Sequence, residues 1–385
     1  MVASKTIYET HLKSGSWKLD YDEIEQLSTG KHSKKKLPGS KPSMKSGSDK
    51  EAAGISGDAS KSSGSQSKSM PTSNGQATYA KIGYYRGTMV AIKDVTKEHI
   101  NVSRNVLKEF FTIRDLLHEN VNPFIGACIE PPNIAIIWQY CHKGSIVDII
   151  ENDDVKLDNS FKLSMIADIA RGMEYLHKSI LHSHGNLKST NCLVDNRWTV
   201  KITDYGLQSF LMGMGQKEEE DENYMFLRKQ WTAPEILREN FPSPKGTQKG
   251  DVYSFAIITY EVCGRQPAFN FDNMVPRDAV NRVRNGEAKP FRPPLPDDEF
   301  VDISPKIKGL ICNCWSENTE VRPTFTSIRK TLRDITGGDI IIIDMILSMM
   351  EKYSNNLEEI VDERTQQLNE EKLKTDKLLY RMLPA

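Results

Sequence analysis

The order of two residue patterns along the chain constrains its fold more than any single motif. Residues 78–141 form short runs of β-forming residues separated by turns, of which TMVAIKDV at 88–95 is typical. After about residue 144 apolar residues recur at helical spacing instead, as at 161–177 and 252–263. Strands gathered first and helices gathered later predict an α+β architecture with a small β-rich lobe followed by a larger helical lobe.

Further elements follow the same two patterns. The helix predicted at 103–117 places Val106, Phe110, Ile113 and Leu117 at spacings of four, three and four, so these side chains share one face. A β-hairpin is expected at 192–203. The remaining predicted helices are 146–150, 276–285, 304–314 and 324–335, and the remaining predicted strands are 79–87, 123–130 and 134–141.

Two segments before residue 77 stand apart by composition. Residues 1–27 contain scattered aromatic and aliphatic side chains, enough for a short strand or docking segment but too few for a domain. Residues 28–76 hold fourteen serines and nine lysines against three acidic residues. Such a stretch buries too little apolar area to offset the entropy that a chain loses on folding. We therefore predict a disordered linker at 28–76 and a folded domain at 77–336.

The last segment, 339–383, has a periodicity of its own. Apolar or neutral residues recur at spacings of four and three from Ile346 to Met382, with two consecutive fours between Leu357 and Thr365. This interruption is typical of a stutter in a coiled coil. We predict a long coiled-coil helix that forms a homodimer through residues 339–383. The alternative is a single amphipathic helix that packs back on the globular domain.

Composition and charge exclude several classes of protein. The chain has 51 lysine and arginine residues against 52 aspartate and glutamate residues, so no net charge favours a nucleic-acid partner. Its six cysteines show no disulfide or zinc spacing, which favours buried thiols in a reducing compartment. No apolar run reaches the roughly 18 residues of a membrane helix. We therefore expect a soluble, cytoplasmic chain.

An ordered set of motifs between residues 79 and 335 resembles the protein kinase domain. The motifs are VAIK at 90–93, a carboxylate at Glu109 on the following helix, DYG at 204–206, APE at 233–235, DVYSFA at 251–256 and RP at 322–323. The resemblance implies a two-lobed protein-kinase-like fold. It also implies that Glu235 pairs with Arg322 to tie the large lobe together, and that Asp251 supports the catalytic loop.

The loop HGNLKSTN at 184–191 keeps the kinase frame and changes its catalytic residues. Asn186 stands where kinases have the catalytic aspartate, and Gly185 stands where they have its arginine neighbour. A carboxamide is not a useful proton acceptor near neutral pH. The positions in register with the phosphate-binding glycines are Ala77, Tyr79 and Ile82. We therefore predict that no intact catalytic residue remains and that kinase activity is absent.

Other parts of a nucleotide site survive in the sequence. Lys93 can neutralise phosphate oxygens and is expected to pair with Glu109, sixteen residues further along. Asn191 and Asp204 offer two oxygen ligands of the kind that Mg²⁺ prefers. The alternative is that Lys93 and Glu109 form only a structural ion pair between a strand and a helix.

The remaining nucleotide-binding candidates lie in the catalytic loop and at the expected hinge between the lobes. Lys188 could reach a terminal phosphate. Trp138 precedes a hinge expected to run from Gln139 to Cys141, where it would narrow the back of the pocket or fill the core. The predicted cofactor is ATP with Mg²⁺, bound weakly.

A narrower resemblance covers nearly the whole chain. HGNLKSTNCLVD at 184–195, KITDYG at 201–206 and the helix LEEIVDERTQQLNEEKLKTDKLLYRMLP at 357–384 are similar to receptor guanylyl cyclases of the natriuretic-peptide-receptor type. SWKLDYDEIEQL at 16–27 resembles the juxtamembrane segment of that family.

The resemblance implies a catalytically inactive regulatory module that relays receptor state through the coiled coil to a cyclase domain producing cGMP. The implied partners are the cyclase and receptor portions of that family, with membrane attachment only through a parent receptor at the cytoplasmic face of the plasma membrane. The cyclase domain is not among residues 1–385. Two alternatives remain: an active Ser/Thr or Tyr protein kinase with an atypical catalytic loop, and a truncated scaffold or dominant partner.

Overall fold

The computed structural model has two lobes, in the order that the sequence patterns predict. The predicted linker at 28–76 and the predicted coiled coil at 339–383 lie outside the described residues. The structure describes residues 17–26, 81–97, 100, 102–152, 155, 157–211, 222–271, 274–295 and 304–338.

Among the described residues, the first lobe contains a five-stranded antiparallel sheet, one α-helix and a single 3-10 turn at Tyr21–Glu23. Its elements are β1 (Ile24–Gln26), β2 (Lys81–Tyr85), β3 (Thr88–Asp94), α1 (Arg104–Arg114), β4 (Phe124–Cys128) and β5 (Ala135–Gln139). The strand order is β1-β2-β3-β5-β4. Arg86 and Gly87 both have positive φ and form the tight turn between β2 and β3, which confirms the predicted hairpin.

The segment before β1 packs on this sheet and on α1. The Leu19 N–H donates to the Ala127 oxygen at 3.0 Å, and the Ala127 N–H donates to the Trp17 oxygen at 2.8 Å. The ring of Trp17 stacks on Phe110 of α1 with 4.3 Å between centroids. The predicted short strand is present as β1, and residues 17–26 belong to the folded lobe rather than to a separate segment before it.

The second lobe is mainly helical and carries one short hairpin. Its elements are α2 (Ile146–Glu151), α3 (Asn159–Lys178), β6 (Cys192–Val194), β7 (Val200–Ile202), α4 (Gln208–Leu211), α5 (Glu222–Lys229), α6 (Pro234–Arg238), α7 (Gln248–Gly264), α8 (Pro276–Asn285), α9 (Pro305–Cys314) and α10 (Phe325–Thr336). Each helix that the periodicity predicts between residues 103 and 335 is present. Among the described residues, none of the helices has the length and apolar character needed to cross a lipid bilayer.

Two helix boundaries differ from prediction by more than two residues, each for a local reason. Helix α7 begins four residues before the predicted start because the Thr247 hydroxyl caps it, accepting from the Gly250 N–H at 2.9 Å. Helix α1 ends at Arg114, and the N–H of Leu117 donates to the Tyr175 hydroxyl instead. Leu117 is therefore 72% exposed and is not part of the buried face that the spacing assigned to it.

The six cysteines are all free, and five of them are buried. Burial raises the pKa of the Cys141 thiol to about 12. Cys312 is exposed on α9. The prediction of buried thiols is thus confirmed for five residues and wrong for Cys312, which falls on the outer face of its helix.

Candidate functional site

Lys93 and Asp204 meet in the cleft between the lobes. Strand β3 supplies Lys93, and its Nζ lies 2.6 Å from the Asp204 Oδ2. Asp204 and Gly206 both have positive φ in the turn that follows β7. Burial alone would raise the pKa of the Asp204 carboxyl, but Lys93, and beyond it Lys188, hold that pKa below its ordinary value. Asp204 is therefore a carboxylate whose charge Lys93 already balances.

The predicted ion pair between Lys93 and Glu109 is not formed. The Glu109 carboxylate instead accepts hydrogen bonds from the N–H of Ser209, at 3.0 and 2.9 Å, and from the N–H of Phe210 at 3.2 Å. These amides lie at the start of α4, where helical N–H groups have no intrahelical partner and attract an anion. Phe110, next to Glu109 on α1, packs edge-on against Phe210 at 5.0 Å. The backbone of Ser209 and Phe210, just after the DYG turn, thus binds the carboxylate that the motif assigned to Lys93.

Asp251 organises the loop at 182–191, as the resemblance implies. Its Oδ2 accepts from the His184 N–H at 2.8 Å, and its Oδ1 accepts from the Gly185 N–H at 2.9 Å. The His177 Nε2 lies 2.8 Å from the same Oδ2. Three polar groups thus share one buried carboxylate from α7, so the loop frame is preserved although its catalytic residues have changed.

Gly185 is held by backbone contact as well as by Asp251. Its φ is +78°, and a Cβ built there would lie 2.4 Å from the Lys245 oxygen. The Ser183 hydroxyl donates to the same oxygen at 2.8 Å. No larger side chain fits at Gly185 without moving the turn that contains Lys245. An arginine in the kinase position is therefore incompatible with this packing.

The side chain of Asn191 is hydrogen-bonded to the backbone of Asn186 within the loop. Asn186 is exposed, and its backbone oxygen accepts from the Asn191 Nδ2 at 2.9 Å. Asn191 is buried, and with its nitrogen engaged it keeps Oδ1 as the atom that can bind a cation. No group of three or more His, Cys, Asp or Glu side chains suited to a metal occurs among the described residues. Asn191 and Asp204 fit Mg²⁺ only as two ligands beside phosphate and water oxygens.

Lys188 is the second cation of the cleft. It is partly buried, and the described structure shows no hydrogen bond or ion pair for its ammonium group. Burial, reinforced by Arg228 and opposed by Asp204, lowers the pKa of Lys188 to about 8. Arg228 lies on α5, outside the predicted site, and no sequence signal pointed to it. An anion entering the cleft would satisfy Lys188 without breaking an existing contact.

Trp138 closes the back of the cleft, and the hinge follows it. Its ring packs edge-on against Phe124 at 5.5 Å and against Tyr205 of the DYG turn at 5.1 Å. Its indole Nε1 is buried without a hydrogen-bond partner among the described residues. Trp138 therefore fills the core between the sheet and the DYG turn, which is one of the two interpretations that its sequence position left open.

Asn122 connects the hinge to the DYG turn and was missed by the motif comparison. Its Nδ2 donates to the Gln139 oxygen at 3.1 Å, and its backbone oxygen accepts from the Tyr205 hydroxyl at 2.7 Å. The Cys141 Sγ lies 3.8 Å from its Oδ1. A ligand that bonds to the Gln139 carbonyl must share that oxygen with Asn122. Only the fold brings these residues together.

The framework pair of the large lobe is present. Arg322 donates to both oxygens of Glu235, at 2.6 and 2.8 Å, and its side chain is fully buried. It also donates to the backbone oxygens of Ser316 and Lys249. A two-pronged pair with these additional bonds satisfies a buried guanidinium, so the predicted pairing of Glu235 with Arg322 is confirmed.

Comparison with protein families gives one matching model over most of the chain. The model described as protein tyrosine and serine/threonine kinase matches residues 73–332. The β-rich first lobe and the helical second lobe are the two lobes of that fold.

Three curated relatives are similar over most of this chain. The resact receptor of Arbacia punctulata is 48% identical over 314 residues, which cover 80% of this chain and 31% of that protein. The atrial natriuretic peptide receptor 2 of Homo sapiens is 42% identical over 83% of this chain and 30% of that receptor. The receptor-type guanylate cyclase Gyc76C of Drosophila melanogaster is 44% identical over 78% of this chain and 20% of that protein. The chain thus spans a third or less of the length of these relatives.

Proposed function

Because the chain belongs to the protein tyrosine and serine/threonine kinase family and is strongly homologous to receptor guanylyl cyclases, we propose that it is a catalytically inactive regulatory domain of such a receptor. In this proposal it binds Mg²⁺ and ATP weakly in the cleft. The helix at 339–383 forms a homodimer that relays the state of the receptor to a cyclase domain, and the domain lies at the cytoplasmic face of the plasma membrane.

One observation carries the proposal. The charged groups suited to phosphate and metal, Lys93 and Asp204, remain together in the cleft at 2.6 Å, while Asn186 stands in place of the base. A site with cations and a metal ligand but without a proton acceptor can hold a nucleotide and has no means of activating a hydroxyl group. Binding without turnover suits a regulatory domain.

The arrangement also accounts for weak affinity. Mg²⁺ would have to replace Lys93 at Asp204, and a hinge contact would have to share the Gln139 carbonyl with Asn122. Lys188 supports binding, because its ammonium group gains a phosphate partner. Nucleotide binding would thus exchange one set of contacts between the lobes for another, and such an exchange can shift a conformational equilibrium.

Thermal unfolding with and without Mg²⁺ and ATP tests this proposal. A ligand that binds only the folded state at about 100 times its Kd stabilises it by about 2.7 kcal/mol, which raises the Tm by several degrees. We expect this rise in the full chain and its loss in Lys93→Met. Lys81→Met is the matched control, because Lys81 forms an ion pair with Asp94 at 2.7 Å in the same sheet.

Two results would contradict the proposal. An unchanged Tm in saturating Mg²⁺ and ATP, or an equal rise in Lys93→Met, would remove nucleotide binding at this site. Phosphoryl transfer by the full chain that Lys93→Met lacks would favour an active kinase instead. Sedimentation of the full chain beside Leu357→Lys tests the dimer, since a charge at this position of the predicted seam should shift the chain toward monomer.

A further inference from the structure

Trp17 joins the chain segment before β1 to the core that runs through both lobes. Its side chain is 3% exposed and belongs to the same cluster of buried apolar residues as Phe110 of α1 and Phe210 of α4. Leu19 and Ile24 follow it closely in the sequence, but they belong to a separate cluster confined to the first lobe. Among the described residues before β2, Trp17 is therefore the one whose side chain belongs to the core of the second lobe.

The backbone of Trp17 is bonded to β4, whereas its ring has no polar anchor. The Ala127 N–H donates to the Trp17 oxygen at 2.8 Å, and Lys18 forms a parallel bridge with Ala127. The Trp17 Nε1 is buried without a hydrogen-bond partner among the described residues. A buried N–H without a partner is unfavourable, so the position of the ring depends on the rings that it packs against.

Phe110 connects the ring of Trp17 to the start of α4. It stacks on Trp17 with 4.3 Å between centroids and 11° between planes, and it packs edge-on against Phe210 at 5.0 Å. Its neighbour Glu109 accepts from the N–H of Ser209 and from that of Phe210. Because Glu109 and Phe110 are consecutive residues of one helix, a movement of α1 that shifts the ring also shifts the carboxylate.

A second line of rings runs from Phe110 to the DYG turn. Phe110 stacks on Phe124 at 5.9 Å. Phe124 packs edge-on against Trp138 at 5.5 Å, and Trp138 packs edge-on against Tyr205 at 5.1 Å. All four rings are buried, and closely packed interiors transmit displacements. Tyr205 follows Asp204 in the sequence, so these rings also reach the carboxylate that pairs with the cleft lysine.

We propose that Trp17 is a positioning residue for the nucleotide cleft, and that it acts through Phe110 by holding α1 where Glu109 binds the amides of α4. Release of α1 leaves Glu109 able to pair with Lys93, and Asp204 then becomes available to Mg²⁺. Trp17 thus stabilises the arrangement that disfavours nucleotide. The effect on affinity rests on the proposed nucleotide binding, whereas the control of Glu109 by Trp17 does not.

Hydrogen exchange of the full chain without nucleotide tests the control of Glu109. Trp17→Ala should accelerate exchange of the Ser209 amide about tenfold beyond any change at Ile137, whose amide reports the opening of the whole first lobe because β5 is an inner strand of the sheet. Leu19→Ala is the matched control, since Leu19 lies near Trp17 in the sequence but packs in the other cluster. It should change both amides by the same factor.

Conservative replacements separate the effect of the ring from that of the lost volume. Trp17→Phe keeps a ring that can stack on Phe110 and removes the unpaired N–H, so exchange at Ser209 should stay within about twofold of that in the unaltered chain. Trp17→Leu keeps apolar volume without a ring, and it replaces Trp17→Ala if that variant unfolds early.

Calorimetric titration with Mg²⁺ and ATP tests the consequence for the cleft. Trp17→Ala should lower the Kd about threefold or more, because a larger fraction of the chains then has the arrangement that binds. Leu19→Ala should leave the Kd unchanged.

Three outcomes would overturn the proposal: equal acceleration at Ser209 and Ile137 in the Trp17 variant, an acceleration at Ser209 that Leu19→Ala reproduces, or a Kd that the Trp17 variant leaves unchanged or raises. If neither the unaltered chain nor any variant binds ATP, the proposed nucleotide binding fails. Faster exchange at Ser209 in Trp17→Ala would still support the control of Glu109 by Trp17.

Discussion

The Glu109 carboxylate accepts the backbone N–H of Ser209 at 3.0 and 2.9 Å, so α1 is tied to the start of α4. Lys93, the partner that the motif assigned to Glu109, is held by Asp204 instead. Glu109 of α1 and Lys93 of β3 are therefore not joined to each other. Each is joined instead to the stretch at 204–210, Lys93 to Asp204 and Glu109 to Ser209.

Glu109→Gln should loosen this connection. The variant keeps the size of the side chain but loses the charge that attracts the amides of α4, and a hydrogen bond to a charged group contributes about 1.5–3 kcal/mol. We expect the free energy of unfolding to fall by about 1–2 kcal/mol and amide exchange at Ser209 and Phe210 to accelerate. Hydrogen exchange measured residue by residue checks this prediction.

The control for Glu109→Gln is Glu287→Gln, because Glu287 pairs with Arg282 at an exposed site. We expect little change there, since exposed ion pairs contribute little to stability. Unaltered exchange at Ser209 in Glu109→Gln would show that α4 does not depend on this carboxylate.

Gly185→Ala should destabilise the protein more than Gly87→Ala. Both glycines have a φ of +78°, so each alanine meets the same left-handed strain of about 1–2 kcal/mol. At Gly87 nothing lies within 4 Å of the new Cβ, whereas at Gly185 the Lys245 oxygen lies at 2.4 Å. We expect urea unfolding to show about 1–3 kcal/mol of additional loss at Gly185. Equal losses would mean that the turn at Lys245 moves freely.

Glu261→Gln should change how stability depends on pH. Burial raises the pKa of the Glu261 carboxyl from 4.5 to about 7, although its Oε2 accepts from the Trp231 Nε1 at 3.0 Å. Between these values the folded protein keeps a proton that the unfolded chain has lost. The stability that this group contributes is therefore complete below pH 4.5 and is lost as the pH rises to about 7.

The measurement is urea unfolding of both proteins from pH 4.5 to 8. Relative to Glu261→Gln, the unaltered chain should lose at most about 3 kcal/mol across this range. Glu317→Gln is the control of opposite sign, because Arg238 and Arg292 outweigh burial and lower the pKa of Glu317. A difference between the unaltered chain and Glu261→Gln that does not vary with pH would contradict a raised pKa for Glu261.

The sequence predicts elements and framework pairs well because these depend on local periodicity and on motif spacing. Helix α8 matches its predicted bounds, and Glu235 pairs with Arg322 as expected. The partner of Glu109 could not be predicted in this way. Spacing places Glu109 on the correct helix, but the direction of its side chain depends on how α1 packs against Phe210 and Trp17. These residues lie 101 and 92 positions away from Glu109 in the sequence.

 

Contacts between residues so far apart in the chain are set by tertiary packing. The stack of Trp17 on Phe110 is one example, because local composition set residues 1–27 apart from the domain although the ring of Trp17 is buried against α1. Asn122 is another, since its bonds to the Gln139 and Tyr205 groups appear only once the hinge and the DYG turn are folded together. Such contacts have no period and no motif that a sequence could show.

Asn186→Asp should not create a phosphoryl-transfer activity. The new carboxylate would supply the missing proton acceptor, but Lys93 would remain paired with Asp204 and Glu109 would remain on the amides of α4. A base accelerates transfer only when the phosphate is already positioned. We expect no incorporation of labelled phosphate into the chain or into a generic substrate, in the presence of Mg²⁺ and ATP.

The control for this experiment is the double variant Asn186→Asp with Lys93→Met, which removes the phosphate-binding cation as well as restoring the carboxylate. Transfer by Asn186→Asp that this double variant lacks would mean that Lys93 can leave Asp204 and position a phosphate. The ion pair in the cleft would then be a resting arrangement of a site able to react, and the absence of a base at Asn186 would be the one barrier to catalysis.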